Sequence, residues 1–281
     1  MNIPENIHLE PNVIFNTDPQ RPLRLHLLYP KVLPTRLMPV LIFIFGGAFR
    51  TGNKDIGIEK LLPFATQGYL CASIEYRYSS EALFPAQVHD VKCAVRYLRA
   101  HADVLHLDPK RIGVFGESSG GYLTTMLAVT ANVPELEGNG GWAEHSSQIQ
   151  AAVNFYGPSD FLSMNRAGSI QDHDSTNSPE SELVGGAIQQ NRKKTALTNP
   201  MHYIKPGNSI APILLIHGDA DPLVPFNQSE LLYAALEKAN APVRFLKRVI
   251  GAGHGGAAFL SQDISSLLHL FFRLHLRPEQ P

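Results

Sequence analysis

Cysteine is scarce in this chain, two among 281 residues, which excludes a disulfide-stapled scaffold. Cys71 lies in an apolar run and Cys93 in a helical pattern; a bridge between them is one reading, and two separate buried thiols is the plainer one. An excess of one charge is lacking too, with 24 Lys and Arg against 25 Asp and Glu. Nothing here steers the protein onto nucleic acid or an anionic membrane, so the expected partner is a small molecule, with no nucleic acid and no membrane; the oligomeric state stays open. No apolar run reaches the roughly eighteen residues of a membrane span. Met1 to Glu10 carries Pro4, Glu5 and Asn6 where a secretory leader needs an apolar stretch, so no signal peptide is expected, which fits a cytoplasmic protein or a mature secreted one. There is no Cys or His set at zinc-site spacing, no P-loop ending in Lys-Ser or Lys-Thr, and no G-x-G-x-x-G after the first strand. Neither a metal nor a cofactor is expected.

What the chain does have is enough apolar residue, 44%, to bury one sizeable core, so residues 1–281 are expected to form a single domain. Apolar runs with strand character alternate with helical patterns. Runs at Leu23 to Tyr29 and Pro39 to Phe45, a helix at Ile56 to Thr66 and a run at Tyr69 to Glu75 set the rhythm. A helix at Ala86 to His101, a strand at Arg111 to Phe115 and a helix at Ser119 to Ala131 continue it. Strands at Ile149 to Tyr156, Pro212 to His217 and Val243 to Ile250, with a helix at Gln228 to Ala239 and another at the C-terminal end, complete it. Strands that are apolar throughout are buried on both faces, which predicts an α/β protein with a mostly parallel sheet between two layers of helices. Two stretches break the pattern: about 159–200, rich in Ser, Asn, Gln, Asp and Gly, and Glu135 to Ser147, which holds the single tryptophan, Trp142. Irregular segments of this length read as lids or binding loops, and 159–200 is expected to be a lid-like or cap insertion.

Gly116-Glu117-Ser118-Ser119-Gly120 follows a strand and opens a helix, the setting in which G-x-S-x-G lifts a serine out of the sheet on a sharp turn. A serine hydroxyl needs a base to become a nucleophile. Of the twelve histidines, His26, His89, His101, His106 and His217 sit in or at the ends of regular elements, where a structural role is the commoner one. His254 differs, riding in Gly251-Ala252-Gly253-His254-Gly255-Gly256 directly after the last core strand, at the carboxyl edge where open α/β sheets place their sites. A carboxylate between them in chain order should orient the imidazole. Asp219 and Asp221 both follow the strand ending at His217; Asp221 is preferred, because Asp219 lies next to Gly218 and is better placed to cap the turn. Backbone N–H groups of Gly47 and Ala48 after the third core strand, with that of Ser119, are the expected oxyanion donors. Phe49, Trp142, Tyr156 and Phe161 are the candidate pocket wall.

These residues resemble the carboxylesterases related to hormone-sensitive lipase, and within them the bacterial acetyl-xylan and feruloyl esterase-like group. The resemblance rests on Phe45-Gly46-Gly47-Ala48-Phe49, Glu75-Tyr76-Arg77, Phe84-Pro85-Ala86, Asp108-Pro109-Lys110-Arg111-Ile112, Gly116 to Gly121, Phe155 to Asp160, His217 to Asp221 and Gly253-His254-Gly255. It implies the α/β-hydrolase fold, a serine triad on Ser118, Asp221 and His254, and a preference for short or aromatic acyl esters. One departure stands out. The family usually has histidine where this chain has Phe45, and that histidine braces the oxyanion loop by hydrogen bonding. Phenylalanine cannot do so, which bears on the rigidity of the hole and not on its backbone donors. Two other functions fit the same residues: an amide hydrolase, arylformamidase-like or peptidase-like, using the same triad, and a non-catalytic protein that keeps the fold as a ligand pocket.

Overall fold

The computed structural model describes residues 2–276, apart from Asn132 and Pro242. Eight strands form one sheet: β1 (Ile7–Ile14), β2 (Arg24–Pro30), β3 (Met38–Ile44), β4 (Leu70–Ile74), β5 (Leu107–Glu117), β6 (Ala151–Phe155), β7 (Ile213–Gly218) and β8 (Arg244–Val249). Their order across the sheet is β1-β2-β4-β3-β5-β6-β7-β8. β1 and β2 run antiparallel to their neighbours, and every pair from β4 to β8 is parallel. The centre is apolar because both faces are covered: β3, β4, β6 and β7 have no exposed residue. β8 is an edge and alternates, with Phe245, Lys247 and Arg248 exposed.

α1 (Ile56–Ala65) and α7 (Gln262–Leu276) share one face. Phe64 of α1 and Phe272 of α7 both meet Phe115 of β5, at 6.1 and 6.0 Å between ring centres. Side chains alternate along a strand, so Gly116 points to the other face, where α3 (Ser119–Val129) packs against β5 with α2 (Ala86–Ala100) beside it. This is the α/β-hydrolase arrangement. β1 was not foreseen. Only Ile7 of its eight residues is buried, and the strand contains Pro11 and breaks register between Glu10 and Val13, with Asn12 at φ 60°. An antiparallel edge strand of this kind carries no apolar run.

Residues 159–200 hold two short helices, α4 (Pro179–Val184) and α5 (Arg192–Thr198), joined by 3₁₀ turns and loops. α6 (Asn227–Lys238) follows β7. Cys71 and Cys93 are buried and not joined to each other. No helix among the described residues is long and apolar enough to cross a membrane.

Candidate active site

The sheet topology brings the loops together. After β3 the chain moves outward to β4, then returns past β3 to β5, so the loops leaving β3 and β5 diverge at the carboxyl edge, where open α/β sheets form a crevice. Ile44 is level with Gly116, Glu117 with Phe155, and Gly218 with Val249. The four loops that carry the candidate residues therefore leave the sheet at the same edge.

Ser118 sits between β5 and α3 at φ 52° and ψ −120°, a conformation that costs a non-glycine residue of order 1–3 kcal/mol. The turn holds because its neighbours are small. A Cβ on Gly120 would stand 2.1 Å from the Ile44 carbonyl oxygen, so only glycine lets α3 start this close to β3. The Ser118 N–H donates to the Phe155 carbonyl at 2.9 Å and its own carbonyl accepts from Tyr122, which fixes the hydroxyl's direction.

His254 Nε2 lies 2.9 Å from Ser118 Oγ, and His254 Nδ1 lies 2.7 Å from Asp221 Oδ2. The structure thus brings Ser118, His254 and Asp221 into one line of hydrogen bonds, across 136 and 33 residues of chain. Asp219 points elsewhere: Oδ1 accepts from the Gly251 N–H at 2.6 Å and Oδ2 faces Arg248 at 3.3 Å. The Asp221 side chain is fully buried. Burial works against its charge, but hydrogen bonds from His217, His254 and the Leu223 amide outweigh it and hold the carboxyl well below the usual carboxylate range. His217 had been set aside as a strand-end residue; in the fold its Nε2 is 3.1 Å from Asp221 Oδ2. No local pattern distinguishes it, because the contact depends on how residues 217–224 turn.

Gly47, Ala48 and Phe49 have φ of 131°, 54° and 61°, a left-handed run that turns the loop after β3. A Cβ on Gly47 would meet the Thr51 carbonyl oxygen at 2.1 Å. The Gly47 and Ala48 N–H groups donate to no described residue, and neither does that of Ser119, one of the unpaired donors at the start of a helix. The loop is braced without the histidine. Phe45 is buried and stacked on Tyr76, ring centres 4.6 Å apart, with Tyr78 edge-on at 6.5 Å. The Tyr76 hydroxyl donates to the Phe45 carbonyl at 3.1 Å and lies 3.3 Å from Ser119 Oγ.

The pocket residues divide. Tyr156 lies beside the Ser118–His254–Asp221 line, its ring edge-on to His254 at 4.9 Å. Phe49 and Phe161 are each 1% exposed and close against Tyr122, so they support the loops and offer no open wall. Trp142 is a correction. Its Nε1 donates to the Phe15 carbonyl at 2.7 Å, and its ring packs on Tyr97 of α2 and on His101, which caps that helix. The segment that carries it follows the far end of α3, whose eleven residues put about 16 Å between that end and Ser118. Residues 169–173 instead grip the acid loop: the Ile170 N–H donates to the Pro222 carbonyl and the Ser169 hydroxyl to that of Leu223, at 2.8 and 2.7 Å. Further along, Glu182 pairs with Arg50 beside the turn at Gly47 to Phe49, at 2.6 Å.

Comparison with known proteins follows the same lines. Esterase LipC of Mycobacterium tuberculosis is 30% identical over 86% of this chain and 59% of its own length. The probable carboxylic ester hydrolase LipM of the same organism is 33% identical over 69% of this chain and 44% of its own. The chain thus spans about half the length of the curated relatives it matches. Among solved structures, a truncated form of a carbohydrate esterase from gut microbiota superposes with a TM-score of 0.85 at 29% identity, covering 95% of this chain and 96% of that one. The propionate-bound esterase Est2 of Thermogutta terrifontis gives 0.77 at 25% identity, covering 98% and 97%. The BD-FAE family pattern matches residues 25–236, and by that match the chain belongs to the BD-FAE family.

Proposed function

We propose that this protein is a serine carboxylic ester hydrolase that works through an acyl-enzyme on Ser118. The observation that carries the reading is the unbroken relay from Ser118 Oγ through His254 to the buried Asp221, at 2.9 and 2.7 Å. Ser118 attacks the ester carbonyl as His254 Nε2 takes its proton; the alcohol leaves with that proton, and water, activated by the same imidazole, releases the acid. Proton transfer by a placed base contributes roughly a hundred- to ten-thousand-fold. The free amides of Gly47, Ala48 and Ser119 receive the oxyanion, each worth on the order of 3 kcal/mol.

Of short-chain and aromatic acyl groups, the short ones fit better. The Phe49, Tyr122 and Phe161 rings close on each other and leave no aromatic slot between them, and the similar Est2 is named with propionate bound. The gut carbohydrate esterase suggests an alcohol side carried on sugar. Residues 159–200 serve as the wall of the site within a single domain, since they are tied to both the acid loop and the oxyanion loop.

The test is a panel of p-nitrophenyl esters from acetyl to octanoyl, run beside methyl ferulate, acetylated xylan and an anilide, on wild type and Ser118→Ala. The expected result is hydrolysis favouring acetyl to butyryl, abolished by Ser118→Ala, with an organophosphate adding its mass at Ser118 alone. Turnover by Ser118→Ala above about a hundredth of wild type overturns the acyl-enzyme, because triad members act as a unit. Preference for the anilide moves the assignment to amide hydrolysis.

A further inference from the structure

Asp221 faces two histidines. Its Oδ1 is filled by the N–H groups of Leu223 and Val224, at 2.9 and 3.0 Å. Its Oδ2 lies 2.7 Å from His254 Nδ1 and 3.1 Å from His217 Nε2. A carboxylate oxygen has two lone-pair sites, so these four contacts exhaust what the carboxylate can accept.

His217, the fifth residue of β7, is 0% exposed. Its Nε2 stands between two acceptors, Asp221 Oδ2 and the Val224 carbonyl at 2.9 Å, and so carries the ring proton. Nδ1 then accepts from the Ser229 hydroxyl, 2.7 Å away near the start of α6. A ring that only filled space against Phe226, its edge-on neighbour at 5.7 Å, would have no need of polar partners on both nitrogens. One face of this ring is anchored to a helix, and its opposite nitrogen is aimed at the carboxylate behind the general base.

We propose that His217 is a positioning residue for the triad: its Nε2–H holds Asp221 Oδ2 by one lone pair, so that the other meets His254 Nδ1. The relay then runs from Ser229 through His217, Asp221 and His254 to Ser118. Without His217 the Oδ2 atom loses one of its two fixed donors. The carboxylate is then free to turn about its Cβ–Cγ bond or to take up water, and His254 samples rotamers and tautomers that do not face Ser118. His217 touches no substrate and acts only through Asp221. This inference rests on the proposed ester hydrolysis for its kinetic readout and on the triad geometry alone for its spectroscopic one.

The test compares His217→Leu with His217→Gln. A Gln amide nitrogen is as many bonds from Cβ as the His Nε2, so it restores the donor; Leu fills the space without one. With p-nitrophenyl acetate, His217→Leu should lower kcat roughly ten- to a hundredfold, the scale on which removing an orienting partner acts, with little change in KM. His217→Gln should recover most of it. The downfield proton resonance of His254 Nδ1, assigned by its loss in His254→Ala, should survive in His217→Gln and broaden or vanish in His217→Leu. Equal kcat in Leu, Gln and wild type overturns the inference, as does equal loss in Leu and Gln, which would mark a purely packing role. If Leu fails to fold, a wild-type kcat and resonance in Gln support the donor, and a Gln variant that folds but is as slow as Asp221→Asn overturns it. If wild type hydrolyses no ester, the resonance decides alone: its selective loss in Leu upholds the positioning role while the proposed function falls, and its persistence in Leu overturns the role.

Discussion

Asp219 and Asp221 stand two residues apart on one turn and meet different partners, which makes their amides a sharp comparison. Asp221→Asn keeps the size of the buried side chain and removes its charge. An amide nitrogen facing His254 Nδ1 favours the wrong tautomer, and kcat should fall about ten-thousand-fold. Asp219→Asn retains an oxygen for the Gly251 N–H and loses only the pair with Arg248, whose side chain is 58% exposed, so kcat should stay within about twofold and stability within about 1 kcal/mol. Steady-state kinetics and thermal melts on the two variants check this, and a reversed pattern would move the acid to Asp219. The depressed pKa of Asp221 also has a sign. A carboxyl held below its unfolded value contributes stability in full above the ordinary Asp range, near about 4, and loses it as pH falls through the folded value. Asp221 therefore does not titrate where the enzyme is expected to work, and Asp221→Asn should flatten the acid-denaturation curve only on its low-pH side.

At the scale of elements, the stretch that carries Trp142 is a strap held against Phe15, Tyr97 and His101, away from Ser118. Trp142→Ala removes a hydrogen bond to Phe15 and two ring contacts, and should cost roughly 2–4 kcal/mol. The ratio of kcat/KM between an aromatic and an acetyl ester should not change; a shifted ratio would return Trp142 to the site. The sequence was legible where one strong local rule acts. β3 is a continuous apolar run, β5 and β7 carry apolar runs at Ile112 to Phe115 and Ile213 to Ile216, and at Gly116 and Gly120 an added Cβ would meet backbone atoms at 2.4 and 2.1 Å. It was illegible where the answer lies in the path between elements. Trp142 was misplaced because the sequence does not say how far α3 carries the chain from Ser118. β1 was missed because an edge strand needs no apolar face, and the link from His217 to Asp221 exists only once residues 217–224 have turned back.

Over the whole molecule, the site is assembled from loops that share no local structure, and residues 159–200 tie them to one another. The bond from Ser169 to Leu223 and the pair of Glu182 with Arg50 connect the loop after β7, which carries Asp221, to the loop after β3, which carries Gly47 and Ala48, through a single stretch of chain. His173 is its buried hinge pin: Nε2 is 3.0 Å from the Leu223 carbonyl and 2.9 Å from the Ser169 hydroxyl, and Nδ1 stands 3.0 Å from Glu180 Oε2, a pair that is ionic when the imidazole is protonated. Burial disfavours the imidazolium, but the Glu180 carboxylate, the Leu223 carbonyl and the nearby Asp174 outweigh it and raise the pKa above the ordinary histidine value. A histidine raised in the folded state contributes stability in full below its unfolded pKa, about 6.5, and loses it as pH climbs through the folded value. Wild type should therefore lose thermal stability between pH 6 and its raised titration point. His173→Gln keeps a donor for Leu223 and cannot titrate, so it should melt lower than wild type at pH 6 and converge with it as pH rises. Measuring Tm of both proteins from pH 5.5 to 9 isolates the effect, since every other group cancels in the difference. A constant difference across that range would mean that His173 holds the acid loop without its charge.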